Sequence, residues 1–113
     1  ALLRFVTRLP APGSVLARWR LFQRNAAALR EIRARFPAAT IRMVHVPDKF
    51  ESEAGRYTVD VAPMLGELHI DYFSVLERCP LAQDSYYARD NHPNAAGYRK
   101  LAACVSNYLG LGD

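Results

Sequence analysis

The chain has 113 residues, half of them hydrophobic, which suits one small packed domain or a piece of one and argues against intrinsic disorder. No apolar run is long enough to cross a bilayer as a helix, and there is no signal-peptide layout. The net charge of +4 comes from arginine, with thirteen Arg and two Lys, and six of the arginines lie between Arg18 and Arg35.

In chain order, residues 2–6 fit a short strand and residues 10–13 a Pro-rich loop. Ser14 follows Pro12-Gly13 and fits a helix N-cap, accepting a hydrogen bond from an otherwise unpaired N–H. Val15, Leu16, Trp19, Phe22, Ala26, Leu29, Ile32 and Phe36 recur at three- and four-residue spacing. That spacing predicts an amphipathic helix over residues 14–36, ended by Pro37, with this stripe buried. Arg18, Arg20, Arg24, Arg30, Arg33 and Arg35 then fall largely on the wet side. With no aromatic-interleaved basic strand and no nucleic-acid motif, they read as a solvated face, and no nucleic-acid partner is expected.

Residues 41–46 are a short β-branched run stopped by Pro47, a strand with Ile41, Met43 and His45 facing one way and Arg42, Val44 and Val46 the other. His45 reads as packed or capped beneath the sheet edge. Asp48 and Lys49 follow the strand; they form a charged turn or rim a site, since loops after strand C-termini line the ligand crevice of open α/β sheets.

Residues 51–56 read as loop, and residues 57–66 place Tyr57, Val61, Met64 and Leu65 at helical spacing, disturbed by Pro63. Residues 68–72 fit a second strand, and residues 73–79 a helical turn stopped by Pro80. Residues 81–89 lead into a loop with Tyr86 and Tyr87 near its mouth. The last helix is expected over residues 94–109, with Tyr98, Leu101, Ala102, Val105 and Leu109 as its apolar stripe and Gly110 as its cap. This α-β-α-β-α order predicts an α/β fold with a short parallel sheet and covering helices. Cys79 and Cys104 are the only cysteines and lack metal-ligand spacing; they allow one disulfide without demanding it, and Cys104 fits a buried small hydrophobe.

The stretch richest in chemistry is Asp90-Asn91-His92-Pro93-Asn94-Ala95-Ala96-Gly97-Tyr98. An Asp two residues before a His can accept the imidazole Nδ1–H, leaving Nε2 to take a proton from a nucleophile. Pro93 is suited to the first turn of a helix, which puts His92 at or just before a helix N-terminus. The plainer reading makes Asp90 or Asn94 a helix cap and His92 a solvated loop residue.

This stretch also resembles the last conserved block of the SGNH (GDSL-type) hydrolase and O-acyltransferase superfamily, in which an Asp and a His open the C-terminal helix and His-Pro-Asn-Ala-Ala-Gly-Tyr is a frequent continuation. The likeness is concentrated between Asp90 and Leu101. It implies that residues 1–113 are the C-terminal segment of a single SGNH-type domain, a partial three-layer flavodoxin-like fold. It also implies that Asp90 and His92 belong to a Ser-His-Asp site for ester hydrolysis or acyl transfer on a small-molecule or carbohydrate ester. Such nucleophilic chemistry needs no metal or organic cofactor.

The family's Gly-Asp-Ser nucleophile block and its Gly and Asn oxyanion blocks are not recognisable in this chain. Ser14 lies beyond a Pro-rich loop where a nucleophile elbow has a tight turn, so it is not the expected nucleophile, and Ser52, Ser74, Ser85 and Ser106 lack supporting context. The segment alone is therefore expected to be inactive and, with its sheet edge uncovered, to self-associate. Other readings are a non-catalytic SGNH-like binding module, an unrelated α/β interaction domain, and a nucleic-acid binder using the Arg-rich helix. A weak similarity of Pro47-Asp48-Lys49 to some SGNH-type acyltransferases accompanies the main block.

Overall fold

A computed structural model describes residues 15–111. The proposed strand over residues 2–6, the loop over residues 10–13 and Ser14 lie outside the described residues. The chain divides into two compact units, residues 1–41 and residues 42–113. Among the described residues of the first, a helix, α1, runs over Val15–Arg35. Ala26 and Leu29 are buried, as the helical spacing requires, but Trp19 and Phe36 are 57% and 59% exposed. From Trp19 to Phe36 the predicted stripe is therefore buried only through its middle. Periodicity says which face is apolar, not how much of it is covered. Arg20, Arg24, Arg30 and Arg35 are exposed. The Arg33 guanidinium donates to the carbonyls of Phe36 (3.2 Å) and Ala39 (2.8 Å) just past the helix end, where a cation also suits the dipole.

The second unit is mixed α/β. Strands β1 (Arg42–His45) and β2 (Asp71–Ser74) pair in parallel, in the register Arg42 to Asp71, Met43 to Tyr72, Val44 to Phe73 and His45 to Ser74. Because side chains alternate along a strand, Val44 and Phe73 share one face and Met43, His45 and Tyr72 the other. The first face carries the core: Phe73, Val75, Leu81, Tyr86 and Leu101 are buried together, with Val44, Val46, Cys79, Cys104 and Tyr108 packed against them. The facing of β1 is the one its sequence predicts.

Between the strands lie two short helices, α2 (Lys49–Ala54) and α3 (Ala62–Glu67). After β2 come α4 (Val75–Arg78), a single 3-10 turn over Gln83–Ser85, and the long α5 (Ala95–Leu109). Helix α2 corrects the loop expected over residues 51–56. Asp48 accepts the Glu51 N–H at 2.8 Å and the Glu51 carboxylate accepts the Asp48 N–H at 3.1 Å, a reciprocal capping box. Helix α3 is shorter than the spacing over residues 57–66 suggests, with Pro63 in its first turn and Tyr57 outside it.

The second strand starts later than residue 68. His69 takes a left-handed φ of 52°, its N–H bonds to Gly66 O (3.1 Å), and Ile70 N–H bonds to Leu65 O (2.9 Å). This is a Schellman-type helix end with His where Gly is usual. Residues 68–70 therefore finish α3, and β2 begins at Asp71. The turn expected over residues 73–79 narrows to α4, capped by Ser74, whose hydroxyl accepts the Glu77 N–H at 3.2 Å.

Cys79 and Cys104 are joined as a disulfide that ties the end of α4 to the middle of α5, with Cα atoms 6.4 Å apart. Cys104 is thus a cross-link as well as a packed side chain. In α5 Leu101 is buried and Val105 and Leu109 are half-buried, whereas Ala102 is exposed and Tyr98 is 53% exposed. The packed face, through Gly97, Leu101, Cys104 and Tyr108, lies beside the predicted stripe. Among the described residues no helix is long and apolar enough to cross a membrane.

Candidate active site

Residues 86–93 form a narrow loop. Tyr86 and Pro93 face each other in an antiparallel bridge, Tyr87 N–H bonds to His92 O (3.2 Å) and Asn94 N–H to Ser85 O (2.8 Å). Pro93 therefore lies before the cap of α5 and not in its first turn, as the sequence suggested. Its missing N–H costs nothing there, because the bridge uses the amides on either side of it.

Asn94 is the N-cap. Its Oδ1 accepts the Gly97 N–H at 3.0 Å, and its Nδ2 donates to Asp84 O (2.7 Å) and Tyr86 O (3.2 Å). One side chain thus starts α5 and sutures both arms of the loop. A Cβ on Gly97 would stand 2.1 Å from Ser85 O and 2.9 Å from the Pro93 Cβ. Glycine is required there by close approach, which is the physical reason for the Asn-x-x-Gly spacing.

At the tip, one oxygen of Asp90, Oδ1, accepts both the backbone N–H of His92 (2.9 Å) and the hydrogen on His92 Nδ1. The first bond makes a tight Asx turn that fixes the two-residue spacing; the second selects the tautomer with Nδ1 protonated. These two donors, the ring first and the backbone second, hold the Asp90 carboxyl below its ordinary range. The pair is open to solvent, with the His92 side chain 70% exposed, so Nε2 is accessible.

The loop is pinned from across the fold. Lys49, the first residue of α2, donates from Nζ to Tyr87 O (3.0 Å) and Ala88 O (3.2 Å), and from its backbone N–H to Asn91 O (3.3 Å). Because α2 follows the C-terminal end of β1 directly, the Asp90–His92 tip is held at the strand-exit side of the parallel sheet, where open α/β folds bind ligands. Asp48 is taken up as the cap of α2. Tyr87 is exposed, but Tyr86 is buried and bonds to Ser52 Oγ (2.7 Å) and Pro47 O (3.2 Å).

The chain matches no protein-family model, no curated protein and no solved structure. The site is therefore read from its own residues.

His45 is buried, stacked on Tyr57 with ring centroids 3.5 Å apart, and bonded through Nδ1 to the Tyr72 hydroxyl at 2.8 Å. Burial lowers its pKa to about 4 against a smaller opposing pull from Asp60. The Tyr57 hydroxyl donates to His45 O (2.7 Å) and accepts from Ser74 Oγ (3.1 Å) and Leu76 N–H (3.2 Å), so it knots the exits of both strands. His45 is a packed residue, as its sequence context indicates.

The described serines with hydrogen bonds are engaged away from His92: Ser52 with Tyr86, Ser74 as the cap of α4, and Ser85, fully buried, with Lys100 Nζ at 3.1 Å. Among the described residues no three His, Cys, Asp or Glu side chains gather as a metal-ligand set. A groove of about 740 Å³ runs past Phe73, Arg78, Lys100 and Tyr108, and neither Asp90 nor His92 lines it. Sequence reasoning missed the Lys49 clasp and the double suture by Asn94. The only sequence signal for the clasp is the position of Lys49 just after a strand.

Proposed function

We propose that Asp90 and His92 are the acid–base pair of a Ser-His-Asp carboxyl-ester hydrolase or O-acyltransferase of the SGNH type. On this reading the chain contributes the C-terminal part of a flavodoxin-like domain, and the nucleophilic serine comes from elsewhere in that domain. The observation that supports it best is the hydrogen bond from His92 Nδ1 to Asp90, at an exposed tip on the strand-exit side of the sheet.

In this reaction Nε2 of His92 takes the serine proton as the hydroxyl attacks the ester carbonyl, and Asp90 stabilises the imidazolium. The proton then passes to the departing alkoxide as the acyl-enzyme forms. In the second half, His92 deprotonates water or a sugar hydroxyl as it attacks the acyl carbonyl, and returns that proton to the serine oxygen as the acyl–serine bond breaks. The substrate class is a small-molecule or carbohydrate ester.

The alternative reading is a non-catalytic SGNH-like binding module, in which the Asp90–His92 turn shapes the loop. One experiment separates them. A polypeptide containing this segment and the upstream remainder of its domain is incubated with a short-chain nitrophenyl ester, and acyl-enzyme is sought by mass spectrometry. The enzymatic reading expects a covalent acyl-serine that disappears in His92→Ala. Absence of acylation in the unmodified polypeptide, or a full rate after His92→Ala, would move the binding module to first place.

A further inference from the structure

We infer that Lys49 is a positioning residue for the Asp90–His92 pair: its ammonium and backbone N–H fasten the loop tip and so hold the imidazole in its Nδ1-protonated orientation. The inference deepens the proposed function and rests on it for its meaning, though its structural content is testable without turnover.

The argument begins with what else secures the tip. The base of the loop is closed by the bonds between Tyr87 and His92 and between Asn94 and Ser85. Residues 88–91 lie beyond these bonds and are exposed. The bonds from Asp90 to His92 are local to the tip; they set its shape but do not attach it to the fold. The attachments of this tip to another element come from Lys49, at Ala88 O and Asn91 O on either side of Asp90, with Tyr87 O taken as well.

A cation donating to carbonyls makes stronger bonds than a neutral donor does, and one ammonium with three hydrogens can serve two carbonyls at once. Lys49 itself is anchored. It sits inside the Asp48–Glu51 capping box, which follows the fully buried Pro47 at the exit of β1. The line of support therefore runs from sheet to cap, from cap to Lys49, and from Lys49 to the tip. Its loss would leave the turn free to open and His92 free to sample its other tautomer and rotamers.

The test uses the 113-residue chain in three forms: unmodified, Lys49→Met and Lys49→Arg. Nitrogen-15 NMR at mildly alkaline pH, where an ordinary imidazole is neutral, reads the His92 tautomer. Hydrogen exchange reads the His92 backbone amide, which donates to Asp90. The unmodified chain is expected to hold the proton on Nδ1. Lys49→Met is expected to shift His92 toward a mixture of tautomers and to speed its amide exchange about tenfold, with the β1 and β2 amides unchanged. Lys49→Arg, able to donate to both carbonyls, is expected to restore both readings.

If Lys49→Met does not fold, Lys49→Gln, which keeps a neutral donor on a shorter stem, is expected to show the same loss. Unchanged tautomer and exchange in a folded Lys49→Met or Lys49→Gln chain would overturn the inference. So would equal acceleration across β1 and β2, which would make Lys49 a general stabiliser. Failure of the enzymatic reading appears elsewhere, as a full rate after His92→Ala, and leaves these spectra as they are.

Discussion

At the residue scale, burial of His45 at the exit of β1 should make stability depend on acid. His45 is buried and its pKa falls to about 4, against an ordinary value of 6.5. Between those values the unfolded chain binds a proton that the folded chain refuses. Stability is therefore expected to be full above about pH 6.5, to fall as pH drops toward 4, and to level off below. Urea titrations across this range check it, and His45→Gln should flatten the dependence. Asp90 has a lowered pKa, so its contribution is present above the ordinary carboxylate range and is lost as pH falls through its own lower value; its exposure to solvent keeps that contribution small. On the proposed function its weight lies in chemistry. If a longer polypeptide containing this segment forms the acyl-serine, Asp90→Asn in it should lower kcat on the order of 10⁴-fold while leaving the melting temperature in place, because it favours the wrong tautomer and removes no packing. The Asp90–His92 spacing was readable because an Asx turn is local to three residues. The Lys49 clasp was not, since nothing in a sequence says which loop a lysine thirty-eight or thirty-nine residues away will meet.

At the element scale, the start of α5 concentrates several constraints in four residues. The helix was evident from its spacing and from Gly110, whose left-handed φ of 71° lets Leu111 N–H bond back to Ser106 O at 2.9 Å. What the spacing did not reveal is that the helix drives its first turn into the carbonyl of Ser85. Gly97→Ala sets two effects against each other: a gain of about 1 kcal/mol in helix propensity, and an overpacking cost of about 1–3 kcal/mol or more. With backbone 2.1 Å from the new Cβ, the second should win, and the variant is expected to melt at lower temperature than the unmodified chain. A melting temperature at or above the original would show that the loop can retreat. Asn94→Ala should cost about 1 kcal/mol for the cap alone, and more for the two carbonyls it leaves bare. The strand β2 was misplaced for a related reason. Its true start is set by a helix end at His69, and a histidine carries no such signal in sequence.

At the scale of the whole molecule, the unit over residues 42–113 is a small core that carries a cross-link and, among the described residues, a sheet of two strands. The disulfide closes a 25-residue separation between α4 and α5, which in the chain-entropy picture stabilises by about 3–4 kcal/mol, a large share of what a unit of this size has to spare. Reduction, or paired Cys79→Ala and Cys104→Ala substitution, should therefore shift the urea midpoint well downward without changing the order of the elements. The sequence announced that a disulfide was allowed; only the packing of α4 beside α5 brings the two cysteines together. The sheet carries the last expectation. Among the described residues it has two strands, so each strand shows one outer edge without a described strand partner. Two strands seldom stand alone, and an open edge offers backbone donors and acceptors to any neighbouring chain. Phe50, Tyr87 and Tyr98 add large apolar surface at 63%, 51% and 53% exposure. Edge pairing between copies satisfies the backbone, and burial of those aromatics contributes about 25 cal/mol per Å² of apolar area removed from water. The 113-residue chain is thus expected to associate as its concentration rises, with light scattering giving a mass above the monomer and a lysine placed at Met43 on β1 lowering it. A stable monomer at millimolar concentration, unfolding in one cooperative step, would show that the edges are covered within a single chain and would count against a partial domain.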